Sequence, residues 1–277
     1  MANSIETTLM TALSSLPAAD IHRLALSISA AHRRRLLRLA AVLSSPSLFS
    51  LSLRHLHTLS LRRKSLLVAH HLLSDLDLLR SHLPSPPAAA ATQSSSSAAS
   101  LRDLDATLLL LLLCELHRHD RRLLDSPPQN WRPTLRDYAS DWILRPSSLA
   151  GGCSDSEALI RFVESARRCW SLVGVGGKGG GGTAAASPEA VVALPSVAAE
   201  GGGECAICRE EMGAGREVCE LPCGHLFHWI CVLRWLGRRD TCPCCRRRLP
   251  SDDVRREIER LMDDIAGVGG GGGGGGL

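Results

Sequence analysis

The chain has 277 residues, a length that fits one or two domains with linkers. It is 44% hydrophobic but only 3% aromatic, and leucine and alanine supply most of the apolar mass, so its ordered parts should be mostly helical. A net charge of +4 does not by itself suggest nucleic-acid binding. The longest purely aliphatic run, Leu108–Leu113, is far short of the roughly 20 residues that span a bilayer, so no transmembrane segment is expected.

Residues 1–83 are rich in Leu, Ser, Ala, Arg and His. Met1 to Ser15 lacks both the basic start and the apolar run of a secretory signal. Ile21, Leu24, Ala25 and Ile28 recur at helical spacing, as do Leu36, Leu39, Ala40 and Leu43. Two or three short helices are expected, broken at Pro17 and Pro46. Residues 84–100, rich in Pro, Ala and Ser, read as a linker. A second helical region, 101–173, has its centre at residues 101–117, apolar on most faces and therefore expected to be a buried helix. Residues 174–203 read as a Gly-rich linker, with a short helix near Pro188–Leu194 after a Ser187 cap.

Residues 204–249 form a compact Cys/His block. An amphipathic helix at 250–266 should follow, opened by Ser251, Asp252 and Asp253, with Val254, Ile258, Leu261 and Ile265 on one face and Gly267 ending it. The glycine tail, 267–277, cannot build a core and is expected to be disordered.

The eleven cysteines need an explanation. Without a secretory signal a disulfide framework is not expected, and close Cys/His pairs point to metal in a reducing compartment. Eight residues fall into four close pairs: Cys205 and Cys208, Cys223 and His225, His228 and Cys231, Cys242 and Cys245. That is enough for two closed tetrahedral sites, and thiolate with imidazole suits zinc. Closed four-ligand sites leave no position for water, so both zinc ions would be structural, and metal binding should drive folding of this segment. Buried unliganded cysteines would not explain two histidines arriving in register. Cys219 and Cys244 are left over and read as non-ligands; Cys114, Cys153 and Cys169 are scattered and read as buried thiols, with no activating partner for thioester chemistry.

The order Cys-Cys-Cys-His-His-Cys-Cys-Cys resembles the RING-H2 family of ubiquitin ligases. The resemblance implies interleaved, cross-braced pairs: one site from Cys205, Cys208, His228 and Cys231, the other from Cys223, His225, Cys242 and Cys245. A PHD finger, the nearest competitor, has one histidine and carries its tryptophan just before the last cysteine pair; here Trp235 follows Cys231 by four residues, as in RING fingers. Ile207, Trp235 and Pro243 match the apolar patch with which that family docks a ubiquitin-conjugating enzyme. Arg246 matches the linchpin position, the one side chain to which the resemblance gives a catalytic role, where a guanidinium bridges the conjugating enzyme and ubiquitin. The implied mechanism is positional: the finger supplies no nucleophile and holds the charged enzyme in an attack-ready pose for a substrate lysine.

Segments outside the finger, among them Met10–Pro17, Val42–Leu56 and Leu101–Ala106, are similar to plant RING ligases associated with amyloplasts and shoot gravitropism. Arg234 stands where that group often has proline, and Cys244 is extra. The resemblance implies a plastid or amyloplast association, at an organelle surface without a membrane span, and otherwise a cytoplasmic protein. The acid-poor N-terminus is compatible with a transit peptide, but its helical periodicity reads equally as a folded domain. The fold expected is a mainly α N-terminal region with a small α+β zinc module and disordered Gly-rich segments; inside the module, a hairpin near Glu217–Leu221 and a helix near Trp229–Leu236. The expected partners are a conjugating enzyme, ubiquitin and substrate proteins. The alternative function is a non-catalytic zinc-binding adaptor, which has no need for all of Ile207, Trp235, Pro243 and Arg246. Zinc-dependent nucleic-acid binding is disfavoured because the basic runs are scattered and Asp252, Asp253, Glu257 and Glu259 surround the last one.

Overall fold

The computed structural model describes residues 2–83, 100–119, 122, 125, 127–143, 154–175, 184–197, 203–213 and 218–269. The expected Pro/Ala/Ser linker up to residue 99, residues 176–183 and 198–202 of the Gly-rich linker, and the tail beyond Gly269 lie outside the described residues. The chain divides into two compact units, one of residues 1–83, 96–178 and 265–277, the other of residues 84–95 and 179–264.

The first unit is helical. Its elements are α1 (Ala2–Ser14), α2 (Ala18–Ser44), α3 (Pro46–Thr58), α4 (Leu61–Arg80), α5 (Leu101–His119), α6 (Trp131–Ile143) and α7 (Asp155–Val175). The expectation of two or three short helices before residue 83 is corrected to four, and α2 alone runs 27 residues. Arg33–Arg35 do not interrupt α2, because Arg33 and Arg34 sit on its exposed side while Leu36 and Leu39 go inward. The proline breaks fall where expected: Pro17 precedes α2, and Pro46 opens α3, where its missing N–H costs nothing. A further break, at Leu59–Ser60, was not foreseen; there the Ser60 hydroxyl accepts from the Arg63 N–H and caps α4.

Leu39 and Leu43 of α2, Phe49 and Leu56 of α3, Leu109, Leu112 and Leu116 of α5 and Leu135 of α6 make one buried cluster, so α5 is the buried helix its all-round leucines predict. α7 packs against α4, α1 and α2. Among the described residues two carboxylates are buried in this unit, and each is met by an arginine of α2. Asp105 accepts a two-pronged pair from Arg38, at 2.6 and 2.7 Å, and Asp75 lies 2.6 Å from Arg35. His71 is buried beside Asp75, at 3.9 Å; burial, reinforced by Arg35, pushes its pKa down to about 4.

Among the described residues no single helix is long and apolar enough to cross a membrane. α2 and α3 are long and apolar enough only when taken together, and they are bent by 103°.

The second unit is the small α+β module. A three-stranded antiparallel sheet runs β1–β4–β5, with β1 (Ser196–Val197) paired to β4 (Val218–Glu220) and β4 to β5 (Leu226–His228). A separate ribbon pairs β2 (Gly203–Glu204) with β3 (Glu211–Met212). Short helices α8 (Pro188–Val192) and α9 (Trp229–Leu236) flank the sheet in sequence, and α10 (Val254–Gly269) closes the described chain. The Ser187 hydroxyl accepts from the Ala190 N–H and caps α8. α10 continues through Gly267 to Gly269, so the expected stop at Gly267 is corrected; a lone glycine weakens a helix without forbidding it. Ile258, Leu261 and Ile265 form its buried face, and Asp253 accepts from the Arg255 and Arg256 N–H groups at its start.

Candidate functional site

The core of the second unit is small: Val218, Leu221, Phe227, Val232, Leu236 and Leu249 are its main aliphatic and aromatic members, and Cys205, Cys219 and Cys242 complete much of the rest. The Cys/His residues are arranged around this core by the turns. The hairpin β4–β5 turns through Cys223 and His225; the Leu221 N–H donates to the His225 carbonyl, and the Gly224 N–H to the Leu221 carbonyl. Gly224 takes φ +78, a conformation that a residue without Cβ adopts at no cost. β5 ends at His228, and α9 carries Cys231.

The two Cys-x2-Cys segments are built alike. The Arg209 N–H donates to the Cys205 carbonyl at 2.7 Å, and the Arg246 N–H donates to the Cys242 carbonyl at 3.0 Å. Arg209 and Arg246 both have positive φ, 61 and 60. The turn leaves the chain in the left-handed region directly after the second cysteine, a feature with no sequence signal, since glycine is the residue such a position would favour.

Two four-residue clusters result. Cys205, Cys208, His228 and Cys231 place one ligand-type atom each within 4.8 Å of the others, and so do Cys223, His225, Cys242 and Cys245. Each pairs residues far apart in sequence, so the sites interleave. His228 Nδ1 lies 3.3 Å from Cys208 Sγ, and His225 Nδ1 lies 3.3 Å from Cys223 Sγ. A tetrahedral ion with bonds of about 2.3 Å to sulfur and about 2.0–2.1 Å to nitrogen separates such atoms by about 3.5 Å. Burial raises the Cys223 thiol to about 12, with Cys242 and Cys245 adding to it, and raises the Cys231 thiol to about 11, with Cys208 and Cys205 adding to it. Thiolates crowded in this way form against a cation, which is what a zinc ion supplies. The donor set and spacing fit two structural zinc ions. Cys219 and Cys244 belong to neither cluster. Cys219 is buried in β4, and Cys244 is exposed. Of the scattered thiols, Cys169 is buried and raised to about 12, first by that burial; Cys114 is half-buried, and Cys153 lies outside the described residues.

Compared with known protein families, residues 203–246 match the Ring finger domain. Over 276 residues the chain is 43% identical to the E3 ubiquitin-protein ligase SGR9, amyloplastic, of Arabidopsis thaliana, an alignment covering 93% of this chain and 94% of that protein. The chain belongs to the RING-type E3 ubiquitin-protein ligases. More distant relatives share a shorter stretch with this ligase. The E3 ubiquitin-protein ligase SIRP1 of Oryza sativa subsp. japonica is 40% identical over 74 residues, 27% of this chain and 23% of its own. The human E3 ubiquitin-protein ligase RNF115 is 38% identical over 79 residues, 27% and 26% of the respective chains. The ligase is therefore a ubiquitin transferase of the type that works with a conjugating enzyme and a substrate, and its fold is helical with a RING-H2 module.

The other residues singled out in the sequence lie on this module. Ile207 and Trp235 are half-buried and pack on its core. Trp235 is fixed from two sides: its Nε1–H donates to the Thr241 carbonyl at 2.7 Å, and the Arg239 guanidinium sits 5.2 Å from the ring centroid. Pro243 is half-buried in the second Cys-x2-Cys turn, and Arg246 is exposed.

Sequence reasoning missed one part of the module, residues 184–197, which read as linker. They are tied to the ligase's finger at several points. The Ala186 N–H donates to the Leu236 carbonyl at 2.9 Å, the Ser187 N–H to the Pro250 carbonyl at 2.8 Å, and the Trp229 Nε1–H to the Ser196 hydroxyl at 2.5 Å. The Ser187-Pro188 cap was the one visible signal; a two-residue strand such as β1 leaves no periodicity to read.

Proposed function

We propose that the eight clustered residues Cys205, Cys208, Cys223, His225, His228, Cys231, Cys242 and Cys245 hold the two zinc ions, and that Ile207, Trp235 and Pro243 dock the conjugating enzyme. Arg246 then braces the docked enzyme against its ubiquitin. The zinc ions shape the module and take no part in the chemistry. The protein's contribution is orientation: with the thioester held in one pose, attack by a substrate lysine loses much of its entropic cost. The observation that carries this reading is Arg246 itself. It follows the last cluster residue, its backbone is in the left-handed region, and its exposed guanidinium has no side-chain partner among the described residues. A five-donor fork kept free at that place suits a contact made with two partners at once.

The helical unit is the proposed seat of substrate or organelle-surface recognition. It contains a cleft of about 770 Å³ floored by Leu59, Leu66, Leu67 and Leu104 and edged by Arg34 and Arg63. A site of action at amyloplasts is supported by the relative whose name carries the word amyloplastic; a part in gravitropism rests on the sequence resemblance alone.

A zinc-supplemented autoubiquitination assay with a panel of conjugating enzymes tests the reading. Wild type should build polyubiquitin, His228→Ala should be silent, and Arg246→Ala should retain zinc but lose most activity. Silence from a folded, zinc-loaded wild type across the panel would favour the adaptor. Localisation is tested by imaging a tagged protein together with protease treatment of intact plastids; full protection would rule out the outer surface.

A further inference from the structure

In the sequence, Arg246-Arg247-Arg248 reads as one solvated run. The structure sorts the three side chains. Arg248 is bound twice by α10, Nη1 to Glu259 Oε2 at 2.6 Å and Nε to Asp263 Oδ2 at 3.1 Å. Arg247 Nη2 lies 3.7 Å from Asp264 Oδ1. Asp264 is itself held from below, by the buried Arg260 at 2.8 Å, and Arg260 also pairs with the buried Glu257. An acidic ridge on α10, outside the matched finger, thus takes up two of the three arginines.

The backbone makes this sorting matter. Arg246 sits at φ 60, a region that costs an L-residue about 1–2 kcal/mol, so the turn must be restrained from both sides. On one side is Cys245 of the second cluster. On the other the chain folds back antiparallel: the Cys242 N–H donates to the Arg247 carbonyl, Thr241 bridges Arg248, and the Leu249 N–H donates to the Asp240 carbonyl. The α10 carboxylates grip the side chains of this returning segment. Without them three adjacent guanidiniums would repel one another and compete for the same acceptors on an incoming partner.

The geometry points to Glu259, Asp263 and Asp264 as positioning residues for ubiquitin transfer. They engage Arg247 and Arg248 so that, of the three, only Arg246 is without a carboxylate partner among the described residues, on a backbone held beside the last cysteine pair. The inference rests on the bracing role proposed for Arg246. Arg247–Asp264 and Arg248–Asp263 each have one exposed partner and Arg248–Glu259 is half-buried; ion pairs this near to solvent contribute little to stability, so their removal acts on orientation rather than folding.

The test is single-turnover discharge of a ubiquitin-charged conjugating enzyme by the full-length, zinc-loaded protein. Four forms are compared: wild type, Glu259→Gln/Asp263→Asn, Arg246→Ala, and the two sets combined. The α10 variant should discharge about 3- to 10-fold more slowly at saturating enzyme, with the half-saturating concentration, zinc content and melting temperature unchanged. In the Arg246→Ala background the same two changes should cost nothing more, because they act through that side chain. Adding Arg248→Gln to the α10 variant removes the guanidinium that the lost carboxylates would release, so this form should discharge near the wild-type rate, and it decides the matter if the α10 variant proves unstable. Wild-type discharge by the α10 variant beside a slow Arg246→Ala would overturn this inference alone, as would losses that multiply in the combined form. Wild-type discharge by Arg246→Ala would overturn the bracing role, and this inference with it.

Discussion

The two units reach order by different routes. The helical unit is held by leucines from several helices, and the acids in its interior are neutralised by arginines from its own α2. The zinc module has a core of about a dozen buried residues, three of them cysteines, and two of those cysteines belong to the metal clusters. Its loops converge on eight donor atoms rather than on apolar bulk. One unit is stabilised by area and the other by coordination, so the same perturbation should act on them unequally.

The largest difference should come from removing zinc. Structural zinc binding is worth about 10–16 kcal/mol in small modules, more than a core of this size can replace. A strong chelator should abolish ubiquitin transfer and collapse the amide-signal dispersion of residues 203–250, while far-ultraviolet dichroism keeps most of its helical amplitude. Simultaneous loss of both would show that the helical unit is not self-sufficient.

Acid sharpens the contrast from the other side. His71 in the helical unit has its pKa lowered from 6.5 to about 4, so its neutral form is the one that the fold favours. The stability this contributes is complete above pH 6.5 and is lost as pH falls from 6.5 towards 4, by about 3 kcal/mol at the lower end. His32 is shifted in the same direction, first by burial. Denaturant titrations followed by helical dichroism should show the loss, and His71→Gln should flatten it. An unchanged slope in the variant would assign the acid sensitivity elsewhere.

The smallest effect concerns where the zinc module begins. Ser187→Ala removes the hydroxyl that caps α8, a change worth about 1 kcal/mol. If residues 184–197 are part of the module, its melting temperature in zinc should fall by a few degrees; if they are only a connection, it should not move.

The two routes also differ in how openly the sequence displays them. Thiolate and imidazole in close pairs are a strong metal signal, so Cys205 to Cys245 announced eight donors in four pairs without any knowledge of packing; how the pairs combine into two clusters came from the family resemblance. The α5 leucines were as plain. What escaped was whatever depends on partners distant in sequence. The helices before residue 83 looked short because the apolar groups Ile21–Ile28 and Leu36–Leu43 read as separate stretches, yet one helix, α2, carries both and turns Arg33–Arg35 between them outward or towards Asp75. β1 was invisible because its pairing with β4 is decided by the sheet rather than by Ser196 and Val197. Arg247 and Arg248 looked like solvated charge because their carboxylates lie a helix away, on α10.

The pairing of β1 with β4 bears on how the finger can be excised. A fragment cut to the matched residues 203–246 would leave the backbone of Val218 and Cys219 as a bare sheet edge, and would strip Trp229 of its Ser196 contact. Bare edges recruit strands from other molecules. A fragment that starts near residue 184 and keeps Pro250 carries its own cover, and it is the piece to choose when a soluble, monomeric finger is wanted.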